Sequence, residues 1–249
     1  MYNFFKYLLV RPIVRLLFRA TLVGAENVPA AGGALLASNH LAAGDTYITP
    51  AMLKRQVTFP AKAELFRGDR GLRSVILAWF MRAIKQVPLD RSGGRVSLAG
   101  LEPVLDALHD GRLVGIYPEG TRSPDGRLYK GHTGVARMAL ASGVPVIPVA
   151  VADTARVKGL FGIGWVWKPK VIIGKPIDFS RYAGMHDDRA VLRWVTDEVM
   201  AAIQELSGQT YIDAYASSVK RGALSQAESD ARILARPGLG ATPPPLPGA

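Results

Sequence analysis

His40 and Asp45 place an imidazole and a carboxylate five residues apart, with only Leu41, Ala42, Ala43 and Gly44 between them. A turn through such small residues can bring the two side chains together. Histidine is the side chain best suited to taking a proton near neutral pH. A carboxylate on its other ring nitrogen fixes the tautomer and stabilises the imidazolium. The chain has no cysteine and no Gly-x-Ser-x-Gly elbow, so the hydroxyl that His40 would activate belongs to a substrate. The pair alone is also compatible with the commoner case, a structural histidine next to an aspartate that caps a short helix over Thr46–Leu53.

A second stretch with chemistry in it is Tyr117-Pro118-Glu119-Gly120-Thr121-Arg122-Ser123. It follows Leu113–Tyr117, a run of buried-strand length. A glycine between Glu119 and Thr121 lets the backbone turn sharply with its amides pointing outward. Such a nest beside an arginine suits a phosphate or a developing oxyanion. An ordinary turn with a solvated arginine carries the same residue types.

The elements that must hold these stretches read as alternating strands and helices. Gly33–Ser38 is an apolar run that delivers His40 just beyond its end, the address at which open α/β sheets bind ligands. Gln56–Ala61 reads as the next strand, Leu72–Ile84 as a helix apolar nearly all round, and Gln86–Arg91 as a short extended piece. A helix over 94–110 stops at Gly111. A helix over Gly131–Ser142 precedes Val144–Val151, whose prolines suit an edge strand or a strand start. Lys170–Gly174 is one more strand and Asp187–Leu206 an amphipathic helix. The expectation is an α/β fold, a mixed and mostly parallel sheet flanked by helices.

At 249 residues, 49% apolar and 20% charged, the chain is globular. Four scattered histidines and no cysteine argue against a dedicated metal centre. A net charge of +11 draws it to polyanions, whether nucleic acid, anionic membrane or phosphorylated substrate. Residues 1–20 alternate apolar clusters with single cations, and Arg11, Arg15 and Arg19 share one helical face, with Pro12 able to kink or divide the helix. The uncharged run Tyr7–Val10 is too short for a signal core or a membrane span, so an amphipathic helix lying in a membrane interface, or one packed on its own domain, is expected. Residues 21–222 form the α/β domain. Residues 223–249 are a tail, Pro/Gly-rich and disordered from Arg236.

Four blocks in this order resemble the glycerolipid acyltransferase family, the 1-acylglycerol-3-phosphate acyltransferases. They are Asn39-His40-x4-Asp45; Val87-Pro88-Leu89-Asp90-Arg91, preceded by Lys62 in Ala61-Lys62-Ala63-Glu64; Tyr117–Ser123; and Val144-Pro145-Val146-Ile147-Pro148. One departure is that Lys85 stands where the family's second block usually opens with glycine. The resemblance covers roughly residues 20–180. It implies transfer of a fatty acyl group from acyl-CoA or acyl carrier protein to the hydroxyl of 1-acylglycerol 3-phosphate, or to glycerol 3-phosphate or another lipid acceptor, with no cofactor beyond the thioester. It further implies His40 as base and Asp45 as its partner, with no acyl-enzyme. Lys62, Arg91, Glu119, Gly120, Thr121, Arg122 and Ser123 would form the substrate site, on a protein peripheral to the cytoplasmic face of the cell membrane. Two other readings compete: a basic nucleic-acid-binding protein, which has only the charge in its favour, and an inactive lipid carrier, against which the intact blocks argue.

Overall fold

The computed structural model describes residues 2–69, 71–89, 98–155, 157–158 and 164–246. In chain order its strands are β1 (Thr21–Val23), β2 (Ala34–Ser38), β3 (Val57–Thr58), β4 (Pro60–Lys62), β5 (Val87–Leu89), β6 (Leu113–Ile116), β7 (Leu128–Tyr129), β8 (Val146–Ala152), β9 (Val157–Lys158), β10 (Gly164–Trp165), β11 (Lys170–Ile173), β12 (Tyr211–Ile212) and β13 (Ile233–Leu234). The α-helices are α1 (Tyr2–Phe4), α2 (Asp45–Met52), α3 (Leu72–Ala83), α4 (Leu98–His109), α5 (Gly134–Ser142), α6 (Arg189–Ser207), α7 (Ala216–Lys220) and α8 (Gln226–Asp230).

The central sheet has the order β1-β11-β8-β2-β6-β3. Strands β8, β2, β6 and β3 run parallel, β11 is antiparallel to β8, and β1 lies parallel to β11. The mixed, mostly parallel sheet expected from the alternating pattern is therefore present. Every residue of β2 is buried because both faces are covered, which is why the strand is apolar without alternation. Leu35 and Ala37 pack with residues of α4, α5 and α6. Ala34 and Leu36 face the other way, against Ile48, Ala51 and Met52 of α2 and Val14 of the N-terminal helix.

Several expectations change in detail. Gln56–Ala61 is not one strand: β3 belongs to the main sheet, whereas β4 pairs with β5. The break falls at Phe59, whose amide bonds the Gln86 side chain, and Pro60 supplies no ladder donor to continue the strand. Strand β8 is central, not an edge. Its Pro148 lies one residue beyond Val149, the last β8 partner of β11, so the missing N–H interrupts no ladder bond there. Lys85 adopts a positive φ of 57°, the conformation that glycine would supply at the same place.

The N-terminal run is helical from Tyr2 to Leu17, with wide π-helical turns over Phe5–Val10 and Ile13–Leu17 on either side of Pro12. Not all its cations face water. Lys6 is buried and donates to the carbonyls of Lys54 and Arg55 at 3.2 Å, and desolvation lowers its pKa to about 8. Helix α3 buries only Ala78.

The tail from Arg236, expected to be disordered, makes contacts with the domain as far as Pro244. Arg236 pairs with Glu198 at 2.7 Å, Pro237 is buried, and the Tyr182 hydroxyl donates to the Pro244 carbonyl at 2.9 Å. Prolines have little backbone freedom left to lose on docking, which composition alone does not reveal.

Candidate active site

Three parallel strands end on the same side and supply the site. At the end of β2, Asn39 is fully buried and pairs in both directions with the backbone of β8: its Nδ2 donates to the Val151 carbonyl at 3.0 Å, and its Oδ1 accepts from the Val151 amide at 2.8 Å. The chain leaves the sheet at this staple, and the next residue is His40.

Asp45 Oδ2 lies 2.7 Å from His40 Nδ1 and also accepts from the amides of Leu41 and Ala42 at 2.7 and 2.9 Å. The carboxylate is fully buried, and His40 is 15% exposed. Asp45 is therefore the first residue of α2 and does not cap it: its side chain turns back to the loop and holds the imidazole. With the proton on Nδ1 toward Asp45, Nε2 carries the lone pair. The imidazole stacks on Tyr117, with centroids 3.9 Å apart and planes 14° from parallel, and Tyr117 stacks in turn on Phe59 at 5.7 Å. An imidazolium gains from both the carboxylate and the aromatic face. Burial, together with the charge of Asp45, holds the Tyr117 phenol well above its usual pKa, so the ring remains neutral. Phe59 reaches this position because Gly115 of β6 leaves the room: a Cβ there would sit 2.4 Å from the ring.

The turn after β6 folds back over the same residue. Ser123 N donates to the His40 carbonyl at 2.7 Å. Glu119 is buried and accepts from the amides of His40 and Tyr129, each at 3.0 Å, one on each carboxyl oxygen. Desolvation dominates over these two donors and raises its pKa to about 7. Gly120 has a φ of +71°, and its own amide closes the turn onto the Tyr117 carbonyl at 2.9 Å. The Gly120 amide is thus engaged within the turn, whereas the amides of Thr121 and Arg122 have no hydrogen-bond partner among the described residues.

A carboxyl with a raised folded pKa stabilises the fold below its unfolded pKa, and that contribution is lost as pH rises through the folded value. Glu119 should therefore cost about 3 kcal/mol of stability between pH 4.5 and just above 7, relative to a group that does not ionise. Denaturant unfolding over this range is expected to fall more steeply with pH in the wild type than in Glu119→Gln. Equal slopes would contradict the assignment.

The other expected site residues divide. Thr121 Oγ1 accepts from Lys220 Nζ at 3.1 Å. Arg122 is exposed on the turn. The Ser123 hydroxyl closes its own loop, donating to the Arg127 carbonyl at 2.7 Å and accepting from the Gly126 amide at 3.0 Å, so its role is in shaping the turn. Lys62 is exposed at the end of β4, where it pairs in register with Leu89. Arg91, two residues further on, lies outside the described residues. Beside the turn opens a cavity of about 910 Å³, with Leu101, Ile116 and Met138 among its apolar walls and Arg137, Arg189 and Arg193 among its polar ones. Sequence reading missed Phe59, Gln209 and Lys220. Gln209 accepts from Asn39 Nδ2 at 2.7 Å and donates to the Gly126 carbonyl at 2.6 Å, tying the loop after β2 to the loop after β6. Gln209 and Lys220 lie far from the motifs in sequence, and Phe59, although only three residues before Lys62, carries no spacing signal.

The stretch that carries the histidine–aspartate pair and the Glu-Gly-Thr-Arg turn falls within a match to the acyltransferase family model. The model matches residues 19–152, and the chain belongs to that family. A 1-acyl-sn-glycerol-3-phosphate acyltransferase of Bacillus subtilis is 30% identical over 186 residues, 74% of this chain and 86% of its own. A chloroplastic protein of the same name from Arabidopsis thaliana is 32% identical over 170 residues, 66% of this chain and 45% of its own, so this chain spans less than half the length of that relative. The crystal structure of the 1-acyl-sn-glycerophosphate (LPA) acyltransferase PlsC from Thermotoga maritima shares the fold, with a TM-score of 0.56 and 23% identity over 81% of this chain and 80% of that one.

Proposed function

We propose that the protein transfers a fatty acyl group from acyl-CoA or acyl carrier protein to the free hydroxyl of 1-acylglycerol 3-phosphate, giving phosphatidic acid. The observation that carries this reading is the 2.7 Å contact of His40 and Asp45 beneath the Glu119–Arg122 turn. The names of the similar relatives supply the acceptor.

His40 Nε2 takes the proton of the acceptor hydroxyl as its oxygen attacks the thioester carbon. Asp45 and the Tyr117 ring stabilise the imidazolium that forms. The carbonyl oxygen becomes an oxyanion near the Thr121 and Arg122 amides, then re-forms the carbonyl as the C–S bond breaks. The departing thiolate takes the proton back from His40, leaving free thiol and ester. Arg122, with Arg91 and Lys62 from the neighbouring block, holds the acceptor's phosphate and so positions the hydroxyl. Glu119 acts from behind by holding the His40 backbone.

The same reading places the protein on the cytoplasmic face of the cell membrane. Among the described residues no helix is long and apolar enough to cross a bilayer. Phe4, Leu8, Leu9 and Leu16 of the N-terminal helix are more than half exposed, as are Leu72, Ile76 and Trp79 of α3. Phe5 and Phe80 pack edge to face at 6.5 Å and join the two elements into one apolar surface beside Arg11 and Arg15. Such a face suits the interface of an anionic bilayer. The double variant Leu16→Glu/Leu72→Glu is expected to lower partitioning onto anionic liposomes at least about tenfold in a sedimentation assay. Unchanged partitioning would contradict this docking face.

An acceptor panel tests the function itself. Product formation with 1-acylglycerol 3-phosphate should exceed that with sn-glycerol 3-phosphate. The reverse order would move the acceptor assignment to the unacylated compound.

A further inference from the structure

We propose that Lys220, at the end of α7, is a phosphomonoester-binding residue of the active site that works together with Arg122 on the acceptor's phosphate. This rests on the proposed transfer to a glycerol phosphate acceptor. Lys220 lies well beyond residue 152, where the family match ends, and none of the four sequence blocks contains it.

The first support is position. Lys220 Nζ donates to Thr121 Oγ1 at 3.1 Å, which sets an ammonium on the turn that also carries Arg122 and folds back onto the His40 carbonyl through Ser123. Its charge reaches Glu119, the carboxyl that bonds the His40 amide, and acts to lower the pKa of that group. An ammonium has three donors, and Thr121 engages one. Lys220 is exposed, so the others are open to a ligand.

Charge accounting is the second support. Around the turn most cations are already neutralised: Arg127 by Asp125 and Asp230, Lys130 by Asp213, and Arg193 by Asp197. Among the described residues Lys220 and Arg122 form no ion pair with a carboxylate; Arg122 stands on the turn beside the proposed base, and Lys220 reaches the same turn from α7 through Thr121. Two uncompensated cations next to unpaired amides select a dianion over a neutral glycerol. The alternative, a lysine that only braces Thr121, requires the hydrogen bond but not the charge.

Lys220→Gln keeps a donor for Thr121 and removes the charge, whereas Lys220→Arg keeps the charge. Binding of sn-glycerol 3-phosphate by the full chain, followed by calorimetry, should weaken about five- to tenfold in Lys220→Gln and recover to within about twofold in Lys220→Arg. KM for 1-acylglycerol 3-phosphate should rise by the same factor with kcat little changed, and the difference should shrink as salt is raised. Four results would overturn the inference: unchanged phosphate binding in Lys220→Gln, a rise in KM for acyl-CoA alone, a fall in kcat with KM unchanged, or no binding of glycerol 3-phosphate by the wild type. If phosphate binding depends on Lys220 but no acceptor is acylated, the acyl-transfer reading fails while the phosphate site stands.

Discussion

His40→Ala is expected to lower kcat/KM for acyl transfer by about 10³- to 10⁴-fold, the upper part of the range for loss of a general base. The fold should survive this change. Asp45 keeps the Leu41 and Ala42 amides on the same oxygen that held the imidazole, so its buried carboxylate is not left without donors. The Asn39 staple to Val151 does not involve the ring. Circular dichroism and the unfolding midpoint should therefore remain close to wild type while thiol release disappears. Activity within about tenfold of wild type would show that another group takes the hydroxyl proton.

Asp45→Asn is expected to cost about 10²- to 10³-fold in kcat/KM. Asparagine can keep its oxygen where Oδ2 now accepts from His40 and two amides. Its NH₂ then falls at the Oδ1 position, which is buried and has no partner among the described residues. The imidazolium loses its counter-charge and an orphan donor is buried, so both rate and stability fall. Asp45→Glu tests length instead: the added methylene has no solvent to extend into, because Asp45 is fully buried, and the geometry with Nδ1 should be lost. Near-wild-type kcat in Asp45→Asn would contradict the role of Asp45 as counter-ion.

How much could be read from the sequence depended on whether a signal was local. The pair His40 and Asp45 and the Glu119-Gly120 turn sit at the ends of apolar runs, and a parallel sheet buried on both faces makes those runs continuous and therefore visible. What holds the pair in place was not visible. Phe59 reaches Tyr117 only because Gly115 lies opposite on a neighbouring strand, and Gln209 bridges Asn39 to Gly126 across the fold. The function of Asp45 was ambiguous because N-capping and orienting a histidine use the same residue type at the same place. Only the direction of the carboxylate separates them. The side chain of Lys6, a single cation between aromatic and apolar neighbours, likewise gave no sign that it would point inward to two carbonyls. The proline-rich end is a different case: composition reports low burial potential, and the contacts of Arg236 with Glu198 and of Pro244 with Tyr182 are ones it does not report.

The measurement that bears most directly on the proposed chemistry is thiol release from acyl-CoA by the full chain on anionic liposomes, with and without 1-acylglycerol 3-phosphate, with the lipid product identified by mass. The expected result is one phosphatidic acid formed per thiol released, and no release without the acceptor. Thiol release that does not depend on the acceptor, or its absence with every glycerol phosphate offered, would contradict the proposed direct transfer by His40.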